Sequence, residues 1–220
     1  VRERVVRVVL VIAAVVSVAA VGRLVIDTGR AEQGTWVLGR AGGVASYVLL
    51  LALVVTGLVQ VHPWARGLRR PSPSARLAMH ASLATFTLVF TVLHVVVLAL
   101  DPWAHVGWAG ALLPMASGYR PVAVTLGLLA LWSGLVTGLT ARFAGRFAAR
   151  VWWPVHKVAA VSFVLVWAHS VLAGSDVAAL QVLYVSTGLG VLALAVTRYG
   201  ARTSADRVAE LAADLTRSPR

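Results

Sequence analysis

Four histidines carry the chemistry that this chain can be expected to do. His80 and His94 lie fourteen positions apart in one apolar stretch, Leu77 to Leu100, and His156 and His169 lie thirteen apart in another, Trp153 to Leu172. An imidazole in hydrocarbon is costly and normally has a partner or a task. At 1.5 Å per residue the two rings of each stretch stand roughly 20 Å apart along a helix, one toward each membrane face. Depth therefore pairs His80 with His156 and His94 with His169. A neutral imidazole on either axial side of one iron is the ligation of a b-type haem. The expectation is two haems, one above the other, forming an electron path across a membrane. A lone membrane histidine is commonly a hydrogen-bond donor between helices, but packing alone does not match four in depth. A zinc or proton-relay site would group its ligands at one depth with acids nearby, and no apolar span centre here carries Asp or Glu. His62, next to Pro63 at a helix end, and His105, in a loop, are poorly placed as ligands.

The elements that must hold these rings are membrane helices. Of 220 residues, 59% are hydrophobic and only 13% charged, too little polar surface for a water-soluble domain of this size. Six spans are expected, near Val5–Ile26, Val44–Val61, Leu77–Leu100, Val122–Leu139, Trp153–Leu172 and Leu180–Val196, each long enough for a hydrocarbon core of roughly 30 Å. The first is too long for the apolar core of a secretory signal, and no clean cleavage site follows it. The fold class is thus all-α: residues 1–200 form a six-helix transmembrane bundle with haem between its third and fifth helices, and residues 201–220 a short cytoplasmic tail. Gly57, Gly127, Gly134, Gly188 and Gly190 fall inside spans, where they let helices approach closely. Trp36, Trp64, Trp152 and Trp153 fall at span ends, as interface anchors do. The stretch from Asp101 to Pro121, with Trp103, Trp108 and Tyr119, suits a partly ordered cap at the interface. There is no cysteine, which leaves no thiolate cluster, covalent c-type haem or thiol relay. No glycine-rich nucleotide fingerprint is present.

Charge orients the bundle. The N-terminus, second loop, fourth loop and tail together hold sixteen basic and four acidic residues; the other loops hold Arg23, Arg30, Arg40 and Arg120 against Asp27, Glu32, Asp101 and Asp176. The whole excess of +12 lies on one side, which places both termini in the cytoplasm of a bacterial-type inner membrane and removes nucleic acid as a partner. Basic residues near the rings are candidates for haem propionates: Arg76, Arg146 or Lys157 inside, Arg40 or Arg120 outside. Phe163, seven residues after His156, is expected near mid-membrane between the two cofactors.

Helix geometry resists the scheme at one point. Fourteen residues bring His94 to within about 40° of His80, but thirteen leave His169 roughly 140° from His156. The fifth helix should be tilted, locally widened, or have side chains reaching around its edge.

The patterns His80-x13-His94 and His156-x12-His169 resemble the ferric reductase-like transmembrane domain. That family includes yeast-type ferric reductases, NADPH oxidases and the membrane subunit that feeds electrons to periplasmic methionine sulfoxide reductase. The asymmetric spacing is tolerated in that family. Leu38-Gly39-Arg40-Ala41-Gly42-Gly43, leading into the second span, is similar to the start of its core, and the resemblance runs from about Arg40 to Arg198. It implies an oxidoreductase component that moves electrons from a cytoplasmic flavin or NAD(P)H donor to an acceptor at the outer face: ferric chelate, oxygen, quinone or a periplasmic protein. Ferric reductases and NADPH oxidases continue into a flavin and nicotinamide domain, whereas this chain ends near the membrane. FMN or FAD would then be supplied by, or shared with, a cytoplasmic flavoprotein reductase. Two other functions stay open: a haem-binding anchor subunit of a separate periplasmic reductase, and a haem-free polytopic transporter.

Overall fold

The structure, a computed structural model, describes residues 34–62, 71–143 and 149–200. The expected first span, the tail and Arg146 lie outside them. The described chain is all-helical: α1 (Gly34–Val61), α2 (Pro73–Leu100), the short α3 (Gly107–Leu112), α4 (Pro121–Arg142), α5 (Ala149–Ala173) and α6 (Val177–Gly200). All but α3 are long and apolar enough to cross a membrane, so the protein is a polytopic membrane bundle. They correspond to the second to sixth expected spans.

The helix ends follow from local chemistry. Pro73 opens α2, where its missing N–H leaves no bond unmade, and the Ser72 hydroxyl accepts from the Ala75 N–H at 3.3 Å. The helix ends at Asp101, whose Oδ1 accepts from the N–H groups of Trp103 (2.7 Å) and Ala104 (3.0 Å) and turns the chain into the cap. At the end of α5, carbonyls that have run out of helix are satisfied from the cap: Tyr119 Oη donates to Ala173 O (2.7 Å) and Arg120 Nη1 to Leu172 O (2.6 Å). Arg120 does this from a left-handed backbone, with φ at +38°.

Two antiparallel hairpins build the bundle. In α1/α2, Gly39 meets Leu98, Gly43 meets His94 and Gly57 meets His80. In α4/α5, Gly127 meets His169 and Ser133 bonds Ser162 across 2.7 Å. The fifth long element, α6, leans on both: Tyr47 Oη bonds Thr187 Oγ1 at 2.5 Å, and Trp167 Nε1 donates to Tyr184 O at 2.9 Å. The buried aromatics Tyr47, Phe163 and Tyr184 cluster there. Val182, Leu189 and Leu192 point outward, as side chains facing lipid must.

Two expectations need correction. The Leu38–Gly43 segment does not lead into the helix but lies within α1, which starts earlier than expected. Helix α5 is continuous α-helix from Ala149 to Ala173, without a wide turn. The stretch from Asp101 to Pro121 is partly ordered, with a helical turn of its own in α3.

Candidate functional site

Between the hairpins lies a cavity of about 1320 Å³, well above the roughly 300–1,000 Å³ of a single small-molecule pocket. All four histidines line it, two from α2 and two from α5. His80 stands opposite His156 with ring centroids 6.3 Å apart, and His94 stands opposite His169 at 6.4 Å. With α5 regular, it is helix tilt or side-chain reach, and not a wide turn, that brings His156 and His169 onto one cavity.

Each of three rings is seated in the same way. The Cβ that Gly43 lacks would fall 2.9 Å from the His94 ring, the one Gly127 lacks 2.8 Å from His169, and the one Gly57 lacks 3.1 Å from His80. Such a glycine also uncovers the carbonyl four residues earlier on its helix, leaving a lone pair open sideways. His94 Nδ1 donates to Gly39 O at 2.6 Å, and His169 Nδ1 donates to Ala123 O at 2.7 Å. At His80 a hydroxyl intervenes: Thr56 Oγ1 donates to Leu53 O at 2.9 Å, so its oxygen is left to accept from His80 Nδ1 at 3.3 Å. A carbonyl can only accept, which puts the proton on Nδ1 and leaves Nε2 with its lone pair available.

This geometry can be tested against a metal. Among the described residues no group of three or more His, Cys, Asp or Glu comes together to hold an ion, which rules out the four-ligand sets of structural zinc there. Facing pairs suit an ion that brings its own equatorial ligands. Imidazole nitrogens about 2 Å on either side of an iron place the ring centroids roughly 6 Å apart, and a b-type haem fits both pairs.

The two ends of the cavity differ in polar lining. Toward His94 and His169, Arg40 Nε donates to Asp176 Oδ2 at 2.8 Å, a second bond joins Arg40 Nη2 to Asp176 Oδ1, and the guanidinium lies 6.0 Å from the Trp36 ring. These hydrogen bonds hold the Asp176 carboxyl below the usual carboxylate range. Trp36 meets Tyr119 edge-on at 6.3 Å, closing the group. Toward His80 and His156, Lys157 and Arg198 line the wall.

Other candidates sit elsewhere. Arg76 is off the cavity wall, its Nη1 buried without a hydrogen-bond partner. Arg120 is taken up by the Leu172 carbonyl. Phe163 packs on Tyr47 at 6.1 Å and does not line the cavity. The glycine seats, Thr56 and Arg198 are not identified by the histidine spacing. For Gly43 and Gly57 the signal in the sequence is their interval, Gly43-x13-Gly57, which mirrors His80-x13-His94.

No family model, curated protein or solved structure matches this chain.

Proposed function

We propose that the protein carries electrons across a membrane through two b-type haems, with His80 and His156 ligating the inner one and His94 and His169 the outer one. The observation that carries this reading is the pair of facing imidazoles at each end of one cavity, at 6.3 and 6.4 Å. Haem bound there supplies reversible one-electron chemistry at its iron. The protein's own residues bind and orient: Gly43, Gly57 and Gly127 admit the rings, and the Gly39 and Ala123 carbonyls and the Thr56 hydroxyl fix the tautomer. The wall between the pairs is largely apolar, with Leu50, Leu53, Leu131 and Val166, and is interrupted by the hydroxyls of Thr87, Thr91 and Ser162. Lys157 is the cation on the wall that would offset the charge of a propionate, whereas Arg40 is bonded to Asp176.

The arginine asymmetry supports an orientation with the His80/His156 end and both termini in the cytoplasm, and a bacterial-type inner membrane as the setting. Electrons would enter there from a cytoplasmic flavoprotein, carrying FMN or FAD, and leave at the outer end to a ferric chelate, oxygen, a quinone or a periplasmic protein. The architecture is that expected of a ferric reductase-like transmembrane domain. It equally serves a haem-carrying anchor subunit of a separate periplasmic reductase, such as the methionine sulfoxide reductase system. A haem-free transporter is the second reading. It is favoured by the lack, among the described residues, of any cluster of three or more metal-ligating side chains, and by a cavity that reaches both ends of the bundle.

Pyridine haemochrome analysis of the purified protein separates these readings. About two haems per chain are expected, falling to about one in His94→Ala or His169→Ala. Haem-free protein, or full haem content in both variants, overturns the electron-transfer reading.

A further inference from the structure

Arg198 is the cation that histidine spacing does not predict. It stands in the last turn of α6, where a basic residue ordinarily complements the helix C-terminus. Its side chain does more than that. It lines the cavity at the His80/His156 end together with Lys157, and its Nε is buried without a hydrogen-bond partner. The described residues hold two carboxylates, Asp101 and Asp176. Asp176 is bonded to Arg40 at the far end, and Asp101 caps the far end of α2. Neither can reach Arg198. The guanidinium lies 5.7 Å from the Tyr199 ring, a neutral neighbour that leaves its charge unmatched, and its planar fork of N–H donors matches an oxyanion.

We propose that Arg198, assisted by Lys157, forms an anion site at this mouth of the cavity that takes a carboxylate or phosphate presented from within it. The inference rests on the haem reading above for one of its two sources. The carboxylate would be a propionate of the haem held by His80 and His156, and the phosphate that of a flavin nucleotide. Arg198 would then be a positioning residue, holding the anion end of a cofactor whose reacting atoms it does not touch.

The test uses the full chain in nanodiscs, with Arg198→Met, the charge-conserving Arg198→Lys, and Lys157→Met, each checked for unchanged helix content. Removing the guanidinium leaves an ionised propionate uncompensated near the iron, which favours the oxidised state. Potentiometric titration should show the equilibrium constant for reduction of one haem falling about tenfold in Arg198→Met, or about 59 mV for one electron. The other haem should be unmoved, Arg198→Lys should recover most of the loss, and Lys157→Met should give a smaller shift of the same sign. Potentials unchanged, but FMN binding weakened about tenfold while riboflavin binding is unaffected, assigns the site to phosphate. Fully haem-loaded variants with neither change overturn the anion site. Should the wild-type protein hold no haem, the proposed function falls by itself, and the FMN and riboflavin comparison alone decides whether the anion site stands.

Discussion

The two ends of the cavity use similar parts to different degrees. At the His94/His169 end both rings rest on glycines, both donate directly to backbone carbonyls at 2.6 and 2.7 Å, and the nearby charges are paired in the Arg40–Asp176 bridge. At the His80/His156 end His80 has a looser glycine seat, its bond runs through the Thr56 hydroxyl at 3.3 Å, and the cations Lys157 and Arg198 face no described carboxylate. A backbone carbonyl is as fixed as its helix, whereas a hydroxyl can rotate. One end is therefore built rigid and electrically closed, the other adjustable and open to negative charge. Such a difference suits a path on which donor and acceptor ends meet different neighbours.

Methyl groups placed on the seats should break this contrast most strongly. Gly43→Ala and Gly127→Ala put a Cβ at 2.9 and 2.8 Å from an imidazole, distances that force the ring to move. Each is expected to cost the outer site its haem, so content falls to about one per chain by pyridine haemochrome. Gly57→Ala, at 3.1 Å, should retain more, and Gly134→Ala, which meets open space, should retain all. Equal loss in all four would mean that the glycines serve general packing.

The hydroxyl relay should respond next. Thr56→Val removes the acceptor for His80 Nδ1, and loss of such an outer-shell partner weakens metal-site affinity by about tenfold or more. Haem titration of apoprotein should show one weakened site, restored in Thr56→Ser. Weakening of both sites equally would show that Thr56 acts on the fold.

The smallest effect belongs to the ion pair. Arg40 and Asp176 are both over a third exposed, so the bridge contributes about 0.5–1 kcal/mol at most. Because the Asp176 carboxyl is held below its ordinary value of about 3.9, this contribution is present above that pH and is lost as pH falls through the lowered value. Thermal melts of the wild type minus those of Asp176→Asn should give a constant difference from pH 7 to about pH 5, shrinking in stronger acid. A difference that persists undiminished to pH 2 would remove the bridge as its cause.

Much of this architecture was legible in the chain. Long apolar runs have few physical outcomes, so five described spans fall where hydropathy puts them, and depth alone brings His80 level with His156 and His94 with His169. The ends of α1 were less legible, because Gly39, Arg40, Gly42 and Gly43 have the composition of a loop. In a bilayer the same glycines let α1 lie against α2, and Arg40 is tolerated within the helix because Asp176 meets it from the start of α6. Depth says nothing about azimuth. Arg76 and Phe163 lie at suitable levels but turn away from the cavity, while Arg198, eighteen residues past the apolar start of its span, turns toward it. Of the expected ways for His156 and His169 to meet one cavity, a wide turn in α5 is not the one used, because the helix is regular α throughout.

The seats on α1 carry an evolutionary consequence. Gly43 and Gly57 stand fourteen residues apart, as do His80 and His94, and the antiparallel helices set one interval against the other. The arrangement works as two rulers that agree at both marks only while their intervals are equal. A single-residue insertion in either helix between its marks turns one seat by about 100° against its ring while sparing the other. Lineages descended from this chain are thus free to lengthen or exchange their loops and to redraw their lipid-facing surface, but α1 and α2 can change length between these marks only together.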